Sequence, residues 1–311
     1  MNDKEDSTRK VSKILTQVLS QFGEGNFSSA EAELEQALAV DYEHPDVLCA
    51  MRCAAYWKDR SLRFGQIDDL YESAEFLLKE WRLFVSFIQQ KDHEYEQGLH
   101  ALRQWVFGTA LKNYKSLHDG SGVQDAEILF KIGRCYKGIG DYETALGYFE
   151  EAHKRRRESA EIIAELADSY ALINEVKIAK AFFREAFFLN PAEVDVRYLE
   201  SFIIQKLIDS VRKKGYESPE LEEWIPVYGI LYGVFNIRRE LKPLEFGKLK
   251  QSIFHLESEV LENRKVLPRL LNRYFWLVEH YIHTKEHRSK IEEILEKIRD
   301  LKPEVYEQYI N

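Results

Sequence analysis

Glu279, His280, His283 and His287 form the one histidine cluster of the chain, and imidazoles at 280, 283 and 287 on a shared helix face have the chemistry to bind a metal ion. The surrounding residues argue for a plainer role. Residues 284–288 read as a helix boundary, with Ser289 and Glu292 as a capping box for the next helix, so the three rings are divided between elements. Histidines in a last helical turn also interact favourably with the helix dipole. Cys49 and Cys53 stand four apart on an expected helix and offer two thiols, but a structural zinc site takes four ligands and no second pair is in sight. Both read as small apolar packing residues, and Cys135 carries no special pattern. The expectation is no metal and no cofactor.

Acid-base or nucleophilic catalysis has no more support. No GxSxG, HExxH, Walker loop or GxGxxG occurs, and the paired carboxylates Asp68-Asp69 and Glu222-Glu223 read as solvated helix faces. The protein reads as a non-enzyme. Lys154-Arg155-Arg156-Arg157, Arg212-Lys213-Lys214 and Arg238-Arg239 are the basic runs that a nucleic acid or an acidic partner would seek. Against nucleic acid stands a formal net charge of −9, since phosphate binding draws on positive charge to release counterions. The first run also closes an expected helix, where cations suit the dipole. An odd cysteine count and a start, MNDKEDSTRK, without an apolar h-region point to a reducing, cytoplasmic setting. The longest uncharged run, 224–237, holds 14 residues including Pro226, short of the roughly 20 that a spanning helix needs, so no membrane insertion is expected. Gly229 and Gly233, among Trp224, Tyr228, Tyr232 and Phe235, read instead as a close approach of two helices.

The elements that carry these residues follow from an internal repeat. Moving 126–159 by 34 positions onto 160–193 aligns Ala126 with Ala160, Ile128 with Ile162, Tyr136 with Tyr170, Ala145 with Ala179, Phe149 with Phe183 and Ala152 with Ala186. In each copy Leu129, Ile132, Gly133 and Tyr136, or Ile163, Leu166, Ala167 and Tyr170, recur at helical period and form one face. After turns at Gly140-Asp141 and Asn174-Glu175, the alanine and phenylalanine positions make a second stripe at i, i+4, i+7. Two antiparallel helices per unit follow. Neither buries its stripe alone, so neighbouring units must stack.

Leu166, Ala167, Tyr170, Ala179, Phe183, Ala186 and Pro191 resemble the tetratricopeptide repeat family, whose pattern runs large, small, aromatic, then Ala, Phe, Ala, then Pro. The resemblance implies an all-α fold, a right-handed α-α superhelix of helical hairpins with divergent helical flanks. A weaker copy at about 11–44 shares the second-helix pattern through Gly25-Asn26-Phe27, Ala30, Leu34 and Ala37, while its first helix, around 14–22, fits poorly. From Gly25 to Gly140 is 115 residues, not a multiple of 34, so an extra or elongated helix interrupts the register. The organisation expected is 1–117 with one degenerate repeat, 118–192 with two repeats, and a divergent helical region at 193–311. Helices are anticipated at 45–57, 67–88, 95–117, 194–213, 219–235, 244–262, 267–284 and 290–301, with a loop at His118-Asp119-Gly120-Ser121-Gly122. Pro191, Pro219, Pro243, Pro268 and Pro303 each sit where a helix can begin. Ile291, Ile294, Leu295, Ile298 and Leu301 make the stripe of a terminal cap.

Function, on the resemblance, is a non-catalytic scaffold whose concave groove binds a peptide or protein partner. The alternative is a helical-repeat regulator whose C-terminal half acts on nucleic acid or on another enzyme. Glu127, Phe130, Arg134 and Lys137 occupy an arc of the first helix about 130° from its core face, at 100° per residue. The resemblance places that arc in the groove, joined by Asp168 from the next repeat. Phe130 would then dock an apolar side chain and Arg134 a carboxylate. Ala164 and Asp168 depart from the basic-and-Asn pattern with which some family members clamp a free chain-terminal carboxylate, which speaks against that ligand.

Overall fold

Fifteen α-helices and three 3₁₀ turns make up the computed structural model, with no strand among the residues it describes, 2–91, 93–121, 125–237 and 240–310. The fold is the all-α helical-repeat class, and within each of its two units most successive helices pack on one another. The chain divides into two compact units, Met1–Ala152 and His153–Asn311.

In the first unit, α1 (Asn2–Glu24), α2 (Phe27–Val40), α3 (Pro45–Phe64), α4 (Leu70–Ile88), α5 (Glu96–Ser121) and α6 (Ala126–Ile139) each pack on the next, and α5 also lies against α1. The stripe Val11, Leu15, Val18 and Phe22 makes α1 a regular amphipathic partner for α2, although it lacks the repeat's residue types. Trp57 lies at the centre, edge-on to Trp105 at 5.4 Å and to Phe84 at 5.5 Å. Three long helices, α3 to α5, account for the interrupted register. The loop anticipated at 118–122 is a correction: His118 to Ser121 form the last turn of α5, and Gly122 lies outside the described residues. A helical glycine costs only about 1 kcal/mol, which the packing of α5 against three neighbours outweighs.

The second unit contains α8 (Ala160–Leu172), α9 (Val176–Leu189), α10 (Phe202–Arg212), α11 (Glu220–Leu231), α12 (Pro243–Glu259), α13 (Leu267–His283), α14 (Arg288–Leu301) and α15 (Pro303–Ile310). Here α13 is central, packed against α11, α12 and α14. Two expectations change. Residues 191–201 hold two 3₁₀ turns rather than the start of a helix, because Asp195 caps a local turn by accepting the Arg197 N–H at 3.2 Å. And α14 is not terminal, since Pro303 opens α15, whose Val305 is buried. Helix α3 runs seven residues beyond the expected 57, to Phe64, and α11 ends four residues before the expected 235, at Leu231, while the other helices lie close to their expected bounds.

One turn recurs through both units. At Gly25, Gly140 and Asn174 the backbone turns left-handed, with φ of 76°, 91° and 69°. The following N–H then reaches back to the carbonyl five residues earlier: Asn26 to Gln21, Asp141 to Tyr136 and Glu175 to Tyr170. This closure satisfies the last carbonyls of the first helix and reverses the chain for the second. Lys285, at φ 54°, makes the same closure between α13 and α14, with Glu286 N–H on the Tyr281 carbonyl.

Candidate partner-binding site

The hairpin of α6 and α7 (Tyr142–Arg155) begins at Asp125, whose side chain accepts the Glu127 N–H at 2.8 Å. Gly133 provides the close approach. A Cβ there would stand 2.7 Å from the Phe149 ring, so the absence of a side chain lets α7 lie against α6. Leu129, Ile132, Gly133, Ala145, Phe149 and Ala152 are buried, and Tyr136 stacks half-buried on Tyr148 with centroids 5.4 Å apart. In the second hairpin Ile163, Leu166, Ala167, Ala179, Phe183, Ala186 and Pro191 are buried, and Tyr170 stacks on Phe182 at 5.6 Å. The two hairpins thus repeat one arrangement: a buried Ala-Phe-Ala stripe, a stacked aromatic pair and one turn.

On this geometry the comparison with known families is specific. Residues 126–158 match the model of the tetratricopeptide repeat. This segment is a tetratricopeptide repeat. No curated protein matches the chain. Helix α6 of the tetratricopeptide repeat is held to α4 and α5 by Lys131, whose ammonium contacts Glu75 of α4 at 2.7 Å while Tyr114 of α5 donates to the same carboxylate. Burial raises the Glu75 pKa, but these two hydrogen bonds together with the charges of Lys131 and Arg134 outweigh it and hold the carboxyl below its ordinary value.

The arc anticipated for a ligand is largely interior surface. Phe130 is 1% exposed, with its ring 5.8 Å from that of Phe149 and the Arg134 guanidinium 4.4 Å over its centre. Arg134 and Lys137 are buried as well. Glu127 is half-buried, 3.8 Å from Lys131. Asp168 is fully buried and accepts the backbone N–H groups of Glu200 at 2.7 Å and Ser201 at 2.9 Å, where the chain enters α10. The structure brings Phe130 and Arg134 together and gives Asp168 a tethering role. A 130° offset places a Cβ off its own hairpin's core face, but a large ring can still reach back, as Phe130 does to Phe149.

Asp168→Ala is therefore expected to lower stability by about 2–3 kcal/mol, because charge-assisted bonds to two amides are lost together. Urea unfolding of the full chain measures it. An unchanged midpoint would show that water replaces the carboxylate at both amides.

The remaining chemistry-bearing residues are dispersed. His280 stacks on Phe246 at 4.2 Å, His283 lies 3.8 Å from Glu240, and Glu279 pairs with Arg184. His287, rather than Ser289, caps α14, its Nδ1 accepting the Ser289 N–H, because α14 begins one residue before Ser289. Cys49 and Cys53 are fully buried, and the Cys49 sulfur accepts the Tyr95 N–H at 3.3 Å. The hydrogen bond with Cys49, added to burial, pushes the Cys53 thiol up, and burial does the same to Cys135. Among the described residues no group of three or more His, Cys, Asp or Glu has metal-site geometry. Nor is any described helix long and apolar enough to cross a membrane. Of the basic runs, Lys154 and Arg155 end α7 and Arg212 ends α10, while Arg238-Arg239 lies outside the described residues.

Two arginines were passed over in the sequence. Arg184 of α9 and Arg273 of α13 each sit directly beside aromatic residues in the sequence, and that pattern is the signal that marks them.

Proposed function

We propose that this protein is a non-catalytic adaptor that grips a polypeptide partner through its helical-repeat surface. The supporting observation is the tetratricopeptide repeat at 126–158, followed by a second hairpin with the same turn and the same buried stripe. Repeats of this kind typically mediate protein interactions. Stacked hairpins are rigid relative to loops and present extended side-chain surfaces, which suits recognition of a chain rather than of a small substrate. In this reading Glu127, Phe130, Arg134, Lys137 and Asp168 shape the hairpins from within, and a partner meets the faces that remain open.

Affinity capture with crosslinking in the native cell tests the reading. A polypeptide recovered saturably, and displaced by excess untagged protein, is the expected result. Recovery of nuclease-sensitive nucleic acid in its place would favour a regulator acting on nucleic acid and overturn the adaptor.

A further inference from the structure

The second unit contains a pocket of about 330 Å³ between the start of α8, the end of α9, α12 and α13. Its apolar wall is made by Ile163, Phe188, Leu189 and Leu249. Arg273 is also part of the lining. The Arg273 guanidinium lies 4.2 Å over the Phe188 ring and donates through Nη1 to the Phe188 carbonyl at 2.6 Å. Its Nε is enclosed and has no protein partner. A cation so placed ordinarily has a carboxylate of its own, since desolvating an ion is costly unless it is paired. Glu223 acts on Arg273 through its charge, but that carboxylate is taken by Arg269, which donates to it through both Nε and Nη2.

The side chains at the mouth add to the same field. Arg157 and Lys248 are exposed on the pocket rim and form no ion pair among the described residues. Glu158, Glu185 and Glu245 line the pocket too and offset part of that field at the rim. Glu245 is committed to α12, where it accepts the Lys242 N–H at 2.8 Å. Burial and the neighbouring Arg269 charge lower the Arg273 pKa to about 10, so the guanidinium remains charged at neutral pH and is short of a counter-ion.

We propose that this pocket receives an acidic side chain of a polypeptide partner, its carboxylate on Arg273 and a neighbouring aliphatic residue on the wall of Ile163, Leu189 and Leu249. The proposal rests on the adaptor reading and adds to it the partner's chemistry and the place of contact. A guanidinium stacked on an aromatic ring is fixed in direction, and its planar fork matches a carboxylate better than it matches a neutral amide. The pocket is at the small end of ligand sites, the size of one or two side chains rather than of a cofactor.

The test titrates the full chain with acetyl-Leu-Glu-Leu-amide and with its Gln counterpart, following the Arg273 Nε–H signal and the methyl groups of Ile163, Leu189 and Leu249 by NMR. The Glu peptide is expected to shift these signals and to bind about tenfold more tightly than the Gln peptide, the discrimination of one charge-assisted contact. Arg273→Gln should abolish that preference. Lys248→Glu, at an exposed position that leaves the fold intact, should weaken the Glu peptide by about threefold through the rim charge. Equal binding of both peptides, shifts confined to other residues, or a response only to 4-methylpentanoate or inorganic phosphate would each overturn the proposal. Partner capture that persists without a carboxylate preference would leave the adaptor standing and remove this site. A carboxylate preference at Arg273 without any captured polypeptide would do the reverse.

Discussion

Arg184→Met is expected to destabilise the second unit by about 3–5 kcal/mol, the cost of leaving one member of a buried ion pair without its partner. Arg184 is 3% exposed and donates to the Glu279 carboxylate across 95 residues of sequence. It also donates to the Ile237 carbonyl at 2.8 Å and lies 4.3 Å over the Trp276 ring. One side chain therefore ties α9, the segment before α12 and α13 together. Methionine keeps most of the volume but leaves the largely buried Glu279 carboxylate without its partner. Replacing both residues, Arg184→Met with Glu279→Leu, should recover most of the loss, because an apolar pair of similar volume is often as stable as the ion pair it replaces. Urea unfolding monitored by tryptophan fluorescence, with hydrogen exchange in α9 and α13, gives the comparison. A single-mutant cost under about 1 kcal/mol would be that of an exposed pair and would mean that Glu279 reaches solvent.

This contact also shows where sequence legibility ends. The 34-residue spacing and the Ala-Phe-Ala stripes are local and periodic, so the hairpins of 126–189 could be read from the residues, down to the turns at Gly140 and Asn174. The turn at Lys285 could not. Lysine is no marker of left-handed backbone, and the closure is visible only in the hydrogen bond from Glu286 to Tyr281. Loop-like composition misled at His118 to Ser121, where tertiary packing carries α5 past residues that favour turns. At the site the limit is the reach of large side chains, since Phe130 lays its ring near Phe149 of its own hairpin. The periodicity of α6 separates Phe130 and Arg134 from the core face, but whether an arc is open depends on everything else that packs near it. Arg184 and Arg273 were hidden for the related reason that their partners are far away in sequence. An arginine on an aromatic-rich helix face is a signal of a buried pair or an unfilled site, and the two differ only in whether a carboxylate is beside it.

Phe149→Ala should cost about 3–5 kcal/mol, as truncation of an enclosed phenylalanine leaves a cavity that a repeat core cannot collapse into. Phe149 is fully buried, and its ring occupies the space that Gly133 leaves on α6. That complementarity makes a sharper test than the single loss. In the wild-type chain Gly133→Ala would place a Cβ 2.7 Å from an aromatic carbon that cannot swing away, and overpacking of this kind costs about 1–3 kcal/mol. In the Phe149→Ala background the obstructing ring is gone. The same substitution then fills part of the cavity and replaces a helical glycine by alanine, a change worth about 1 kcal/mol in favour of the helix. Gly133→Ala should therefore change sign between the two backgrounds, destabilising in one and stabilising in the other. Thermal or urea unfolding of the four proteins measures the cycle, and effects that simply add would mean that α6 and α7 do not meet at this point. The sign change follows from the spacing alone: glycine at 133 and phenylalanine at 149 are one packing feature of the tetratricopeptide repeat, and neither residue has its stabilising role without the other.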